Sequence, residues 1–215
     1  MNYFEHLREK LYSAAISDAL DSLGYRKQSP AVGFTAYSGI STLVGRCRTT
    51  LWADIYDVDP EPYKLELEAV DSCKSGDVLI CAANGSTRSG IWGELLSTAS
   101  LNGGCSGVVV HGAIRDIRKM TQMGFPVFAC ATSPYDSLNR QKVISVDVQV
   151  QIGEVMINPG DLVFADEDGI VFVPKDIEEK VIQRALKKVG DENITRDAIK
   201  RGMKAAAAYE KYGVL

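Results

Sequence analysis

Arg115 and Asp116 set a cation and a carboxylate side by side at the end of Gly112-Ala113-Ile114-Arg115-Asp116, directly behind the apolar run Gly107-Val108-Val109-Val110. A guanidinium holds a carboxylate or an enolate oxygen through its planar fork. The adjacent carboxylate can ligate a hard divalent cation. Together the two groups could bind and polarise a 2-oxo acid. A plainer alternative stays open at this point, in which Asp116 caps a helix and Arg115 makes a surface ion pair.

The surrounding elements decide where the pair must sit. Gly107–Val110 is short, β-branched and bounded by glycine, which predicts a buried strand, and Ile117-Arg118-Lys119-Met120 predicts the first turn of a helix. Arg115 and Asp116 then fall on a strand-to-helix corner, where α/β folds build sites. Upstream, Trp92-Gly93-Glu94-Leu95-Leu96-Ser97 begins a helix within the helical stretch Ile91–Leu101, behind the polar loop Asn84–Gly90. Free N–H groups at a helix start attract an anion. If this start faces Arg115, one carboxylate receives backbone donors from Gly93, Glu94, Leu95 and Leu96 together with the guanidinium. Otherwise it is an ordinary N-terminus in which Glu94 complements the macrodipole.

Along the rest of the chain, Leu7, Leu11, Ala14, Ala15, Ala19, Leu20 and Leu23 repeat at helical spacing, as one helix or a broken pair, with Ser17-Asp18 able to cap a second segment that stops at Gly24. A Gly, Ser and Pro-rich loop, Ser29–Ser41, leads to Leu43–Thr50, whose later part alternates as a half-exposed strand. A helix is predicted over Glu61–Val70 and a buried strand over Gly76–Ala82. After Pro126–Ala129 the texture changes, and the segment Ile144–Val150 alternates as a strand does. Gly160–Ala165 and Gly169–Pro174, joined by Asp166-Glu167-Asp168, read as a β-hairpin with a solvated acidic turn, so the sheet is expected to be mixed. From Lys175 the chain reads as helices broken near Gly190 and Gly202. This places residues 1–215 in one α/β domain, with a helical segment over 1–24 and a helical extension over 175–215.

Composition removes whole classes of function. With 24 Lys and Arg against 28 Asp and Glu, and no basic stripe, the footprint of nucleic-acid binding is missing. No segment approaches the apolar length of a membrane span, and the expectation is a soluble, cytoplasmic protein. The scattered Cys47, Cys73, Cys81, Cys105 and Cys130 lack C-x-x-C spacing and are expected to be reduced and mostly buried. Two histidines, His6 and His111, are too few for a multi-histidine zinc site; His111, directly before Gly112, reads as a hydrogen-bonded structural residue, with orientation of a substrate or a water near the corner as the alternative. Phosphate-loop, nucleophile-elbow and dinucleotide-fingerprint motifs are all missing, which sets aside kinases, serine hydrolases and NAD enzymes.

Three blocks in order, Gly93–Leu96, Gly107–Asp116 and Pro159–Pro174, resemble the RraA-like family of 4-hydroxy-4-methyl-2-oxoglutarate aldolases and regulators of ribonuclease activity. Ile16–Leu20 and Glu192–Arg196 extend the likeness over most of the chain. The resemblance implies an α/β/β fold like the phosphohistidine-swivelling domain, with a mixed sheet. It also implies assembly as a homotrimer or dimer of trimers, with sites at subunit interfaces. In that reading Arg115 binds substrate, Asp116 holds Mg²⁺ or Mn²⁺, and Gly93, Glu94, Leu95 and Leu96 hold the substrate carboxylate through backbone groups. A further carboxylate comes from a neighbouring subunit's C-terminal helix in some members, and Glu192 is the candidate for it here. Aldolase-like members keep Arg-Asp, whereas the regulator branch can lose the aspartate, so this chain is expected to bind metal. It departs from the family in the loop Asn84–Gly90, where Arg88 intrudes, and in its longer helical end. The activity implied is that of a class II aldolase, a metal-dependent lyase that cleaves or decarboxylates a small 2-oxo diacid through a pyruvate enolate. No side chain of the local motif is an obvious general base, which leaves water at the metal as the expected proton carrier. The alternative is a non-catalytic regulator that binds a ribonuclease or other protein partner. A quinone methyltransferase would need a glycine-rich nucleotide loop that this chain lacks.

Overall fold

The strand expected behind the Arg-Asp pair lies in the middle of a nine-stranded mixed sheet and is longer than its apolar run, extending from Gly107 to Ile114. The computed structural model describes residues 2–214. In chain order the elements are α1 (Tyr3–Lys10), α2 (Ser13–Ser22), β1 (Thr35–Ala36), β2 (Leu43–Asp54), α3 (Lys64–Asp71), β3 (Asp77–Ala82), β4 (Gly90–Trp92), α4 (Glu94–Asn102), β5 (Gly107–Ile114), α5 (Ile117–Met123), β6 (Val127–Thr132), β7 (Gln141–Val146), β8 (Val150–Ile152), β9 (Val155–Ile157), β10 (Leu162–Asp166), β11 (Gly169–Val173), α6 (Glu178–Lys200) and α7 (Ala205–Tyr212). The sheet runs β1-β6-β5-β3-β2-β10-β11, with β4 paired to β5 and β7 to β2. Strands β2, β3, β5 and β6 are parallel neighbours. The hairpin of β10 and β11 joins antiparallel to β2, with Phe164 opposite both Val44 and Val171. The sheet is therefore mixed, as expected.

Both faces are covered, and the alternation along β5 shows how. Val108, Val110 and Ile114 enter a core with residues of α3 and α5, while Val109 joins the opposite core with Ile152, Val155 and Ile157 of the small β8–β9 hairpin. A third core packs Leu7, Ile16 and Leu20 with Val181, Ile182 and Ala185 against Val171 and Val173. Every residue of β5 is buried, and its carboxyl end leads directly into Arg115 and Asp116.

Several boundaries differ from the sequence reading. The first helical stretch is a broken pair, but the break falls at Leu11-Tyr12 and Ser17-Asp18 lie inside α2. The start of α2 is held instead from across the chain. Asp166 accepts the Ser13 N–H and its Oγ–H, each at 2.6 Å. That contact gives the acidic turn of the hairpin a structural duty. The predicted helix Ile91–Leu101 begins later, because Gly90–Trp92 pair with β5 as β4. The alternating segment Ile144–Val150 is split between the end of β7 and the start of β8. Gly190 does not break α6, which continues to Lys200, whereas Gly202 at φ +99° does end the helical run. No helix among the described residues is long and apolar enough to cross a membrane.

A candidate active site at the carboxyl ends of the parallel strands

The chain turns sharply after β5. Asp116 takes the left-handed conformation, φ +61° and ψ 27°, which aspartate tolerates better than most residues, and α5 begins immediately behind it. Although Asp116 occupies the N-cap position of α5, its side chain makes no cap hydrogen bond there. Its carboxylate turns towards α4, where Oδ2 accepts the Glu94 N–H at 3.2 Å. The capping alternative for Asp116 is thus excluded, and the helix start does face the corner.

Two glycines make this approach possible. A Cβ on Gly93 would lie 2.6 Å from Asp116 Oδ2 and 3.2 Å from Arg115 Cγ. On Gly90 it would lie 2.5 Å from the Ser133 carbonyl oxygen and 2.9 Å from Arg115 Cβ. Between them, the end of β4 lies flush against the corner, and Arg115 N–H donates to the Trp92 carbonyl at 2.8 Å. Leu95 and Leu96 are the second and third residues of α4, so their amides have no acceptor one turn back in the helix. The Leu95 side chain is 76% exposed. The Glu94 side chain turns back, accepting from Thr98 Oγ1 at 3.3 Å and standing 3.7 Å from Lys119 Nζ.

Three groups that the sequence reading did not single out complete the cleft. Arg115 Nη2 pairs with Asp136 Oδ2 at 2.6 Å, and the Tyr63 hydroxyl donates to Asp136 Oδ1 at 2.7 Å. Burial favours the neutral form of Asp136, but the bonds from Tyr63, the Leu138 amide and Arg115 outweigh it and hold the carboxyl below its ordinary range. Tyr63 is pushed up to about 12, by burial first and then by the bond it donates. The third group is Glu66 on α3. It is 7% exposed, and its Oε2 has no hydrogen-bond partner. Burial first, and the charge of Asp136 second, raise its carboxyl to about 8, against a smaller opposing pull from Arg115.

These residues line one cleft of ≈ 280 Å³, together with the apolar side chains of Leu67, Ile91, Leu95 and Leu96. The guanidinium is fixed on one side by Asp136, while its Nε lies 3.9 Å from Asp116 Oδ2, beyond hydrogen-bonding distance. Among the described residues no three metal-ligating side chains gather. A single carboxylate over a glycine still suits Mg²⁺ or Mn²⁺, hard ions that keep water and substrate oxygens as most of their ligands.

The chain and its fold agree with a known group of proteins. The profile of the RraA-like family, described as Aldolase/RraA, matches residues 13–172. The chain belongs to the RraA-like family. Among its relatives is a protein of Halalkalibacterium halodurans named "Putative 4-hydroxy-4-methyl-2-oxoglutarate aldolase", 35% identical over 143 residues, which are 66% of this chain and 68% of that one. Among solved structures, an uncharacterised protein from Pseudomonas syringae superposes with a TM-score of 0.86 at 28% identity, covering 97% of this chain and 93% of its own. Streptomyces coelicolor RraAS2, described as an unusual member of the RNase ES inhibitor RraA protein family, does so with a TM-score of 0.78 at 30% identity, covering 90% of this chain and 94% of its own. The family therefore includes proteins named for lyase activity and proteins named for ribonuclease inhibition.

Other residues considered from the sequence fall outside the cleft. Glu192 on α6 receives the Tyr12 hydroxyl and stands 3.3 Å from Lys188 Nζ within its own chain. His111 is 8% exposed with Nδ1 unpartnered, and burial lowers its pKa. Cys47, Cys73, Cys81 and Cys105 are buried and Cys130 is half-buried, all as free thiols. Two of the missed groups carried a usable signal. Glu66, Ala69 and Val70 share one face of α3 with Cys73 just past its end, and those three neighbours are buried. Asp136 lies in the loop that follows β6, the parallel neighbour of β5, where the position rule for α/β sites points.

Proposed function

We propose that this chain is a divalent-metal-dependent lyase that cleaves or decarboxylates a small 2-oxo diacid by way of a pyruvate enolate. The observation that carries the reading is the meeting of Arg115, Asp116 and the start of α4 in one cleft, with Gly93 leaving room above the Asp116 carboxylate. Asp116 would hold Mg²⁺ or Mn²⁺, which when bound supplies Lewis-acid polarisation of the 2-oxo group. Arg115, braced by Asp136 and through it by Tyr63, places fixed positive charge where the enolate oxygen develops. The Leu95 and Leu96 amides at the start of α4 orient the substrate carboxylate, the Glu94 amide being taken by Asp116, and the apolar wall of Leu67, Ile91 and Leu96 limits water around the reacting carbons. Oxaloacetate and 4-hydroxy-4-methyl-2-oxoglutarate both yield pyruvate through such an enolate, so one site serves either substrate. The exposed Leu67, Leu95, Leu138 and Tyr135 near the cleft support its being covered by a second copy in a trimer-based assembly.

The test is pyruvate release from these two compounds, with and without Mg²⁺ or Mn²⁺, by wild type and Asp116→Asn. Metal-dependent release that collapses in the variant supports the proposal. The likeness to RraAS2 favours a second reading, a regulator that binds a ribonuclease. Absence of metal-dependent turnover, combined with stoichiometric inhibition of a ribonuclease by both proteins, would establish that reading instead.

A further inference from the structure

The buried carboxyl group of α3 has no structural partner to explain it. Glu66 occupies a face whose other members, Ala69, Val70 and Cys73, are apolar or nearly so, and an unpartnered polar atom at such a position is costly. Glu66 is more than nine-tenths buried, yet it borders the same cleft as Arg115 and Asp116. It reaches the cleft from α3, whereas Arg115 and Asp116 reach it from the end of β5. Resting on the lyase reading above, we propose that Glu66 is the proton donor of this site, delivering its carboxylic O–H proton to the enolate carbon to release pyruvate.

The step balances without a further reagent. In decarboxylation the bond between C3 and the leaving carboxylate breaks, CO₂ departs, and the electron pair remains as the enolate. The Glu66 O–H bond then breaks as a C3–H bond forms, and water in the cleft returns a proton to the carboxylate. In aldol cleavage the proton of the substrate hydroxyl leaves to cleft water, so the net proton count is zero. A donor must be neutral before the step, and the surroundings of Glu66 meet that requirement. Burial and the Asp136 carboxylate keep it protonated at neutral pH, with Arg115 opposing. Tyr63, just ahead of α3, stays a neutral phenol, and Cys81 on β3 stays a thiol. Glu66 also borders a second depression, whose charged groups Asp59, Glu61, Lys64 and Lys142 pair among themselves.

Glu66→Gln keeps the shape and removes the acid. We expect pyruvate release from oxaloacetate to fall about 100-fold or more in kcat, while the affinity for oxalate, a planar analogue of the enolate, measured by calorimetry with Mg²⁺ present, changes by less than about threefold. Two reaction directions give a check that needs no variant. Decarboxylation requires neutral Glu66 and must decline as pH rises through about 8, whereas exchange of pyruvate methyl protons in D₂O requires the carboxylate and must rise there. Profiles of the same sign, or a Glu66→Gln enzyme with near-normal kcat, would overturn the donor role and leave the lyase reading intact. Loss of oxalate binding in parallel with kcat would reassign Glu66 to binding. A wild type that neither turns over oxaloacetate nor binds oxalate would remove the lyase reading and Glu66's role together.

Discussion

Replacing Glu66 by glutamine should change how stability depends on pH, in a direction opposite to that of most carboxylates. The side chain ionises at about 4.5 in the unfolded chain and at about 8 in the fold. Between those values the unfolded state has lost its proton and the folded state retains it, so stability falls as pH rises. Below the lower value, both states hold the proton and the group costs nothing extra. Above the upper value, both are ionised and the full penalty is present. The window is about 3.5 pH units wide, and at about 1.36 kcal/mol per pH unit the total loss has an upper bound of about 5 kcal/mol. Urea unfolding of wild type and Glu66→Gln at about pH 5 and about pH 8 isolates this contribution, because the other carboxylates titrate alike in both proteins. Wild type should lose up to about 4 kcal/mol relative to the variant between the two conditions. Parallel profiles would refute the argument, since they would mean that the carboxyl is solvated and ionises normally.

Other perturbations probe the corner and the helices. Gly93→Ala puts a methyl 2.6 Å from Asp116 Oδ2; we expect Mn²⁺ affinity, read by water-proton relaxation, to fall at least about tenfold, with a stability cost of about 1–3 kcal/mol in thermal unfolding. Asp136→Asn removes the charge that helps keep Glu66 neutral and frees Arg115, so the alkaline limb of kcat should move to lower pH while kcat at its maximum drops. Tyr63→Phe deletes only the brace on Asp136 and should cost about 1 kcal/mol of stability with a smaller kinetic effect. Gly190→Ala, at an exposed position with open space inside the uninterrupted helix α6, should stabilise the protein by about 0.5–1 kcal/mol in chemical denaturation.

What could be read from the sequence was whatever depends on neighbours along the chain. The strand-to-corner-to-helix path through Gly107–Met120 and the β10–β11 hairpin were legible, because hydrophobic period and glycine placement are local signals; the helix of α4 was legible too, but that its start faces Arg115 was left open. The alternation of strand and helix carried the α/β layering, the hairpin carried the mixed sheet, and the family resemblance added the specific α/β/β fold. Asp136 and Tyr63 were not legible, because only the parallel pairing of β5 with β6 and the return of α3 bring them to Arg115. Glu66 was half-legible: its spacing with Ala69, Val70 and Cys73 marks it as inward-facing, but an acidic residue in a charged helix start looks solvated until the fold shows what lies above it. Gly190 misled for a physical reason. A glycine weakens a helix by about 1 kcal/mol, which the packing of Val181, Ile182 and Ala185 against α2 and the hairpin easily outweighs.

The left-handed backbone at Asp116 narrows the evolutionary routes open to this corner. A positive φ at a non-glycine residue is sustained at low cost by aspartate and asparagine, while glycine meets no barrier there. A descendant that abandoned metal chemistry but kept the fold would therefore drift within a very small alphabet at this one position. Asparagine or glycine after the arginine would be the scar of a lost activity, and a bulky or β-branched residue there would signal that the corner itself had been rebuilt.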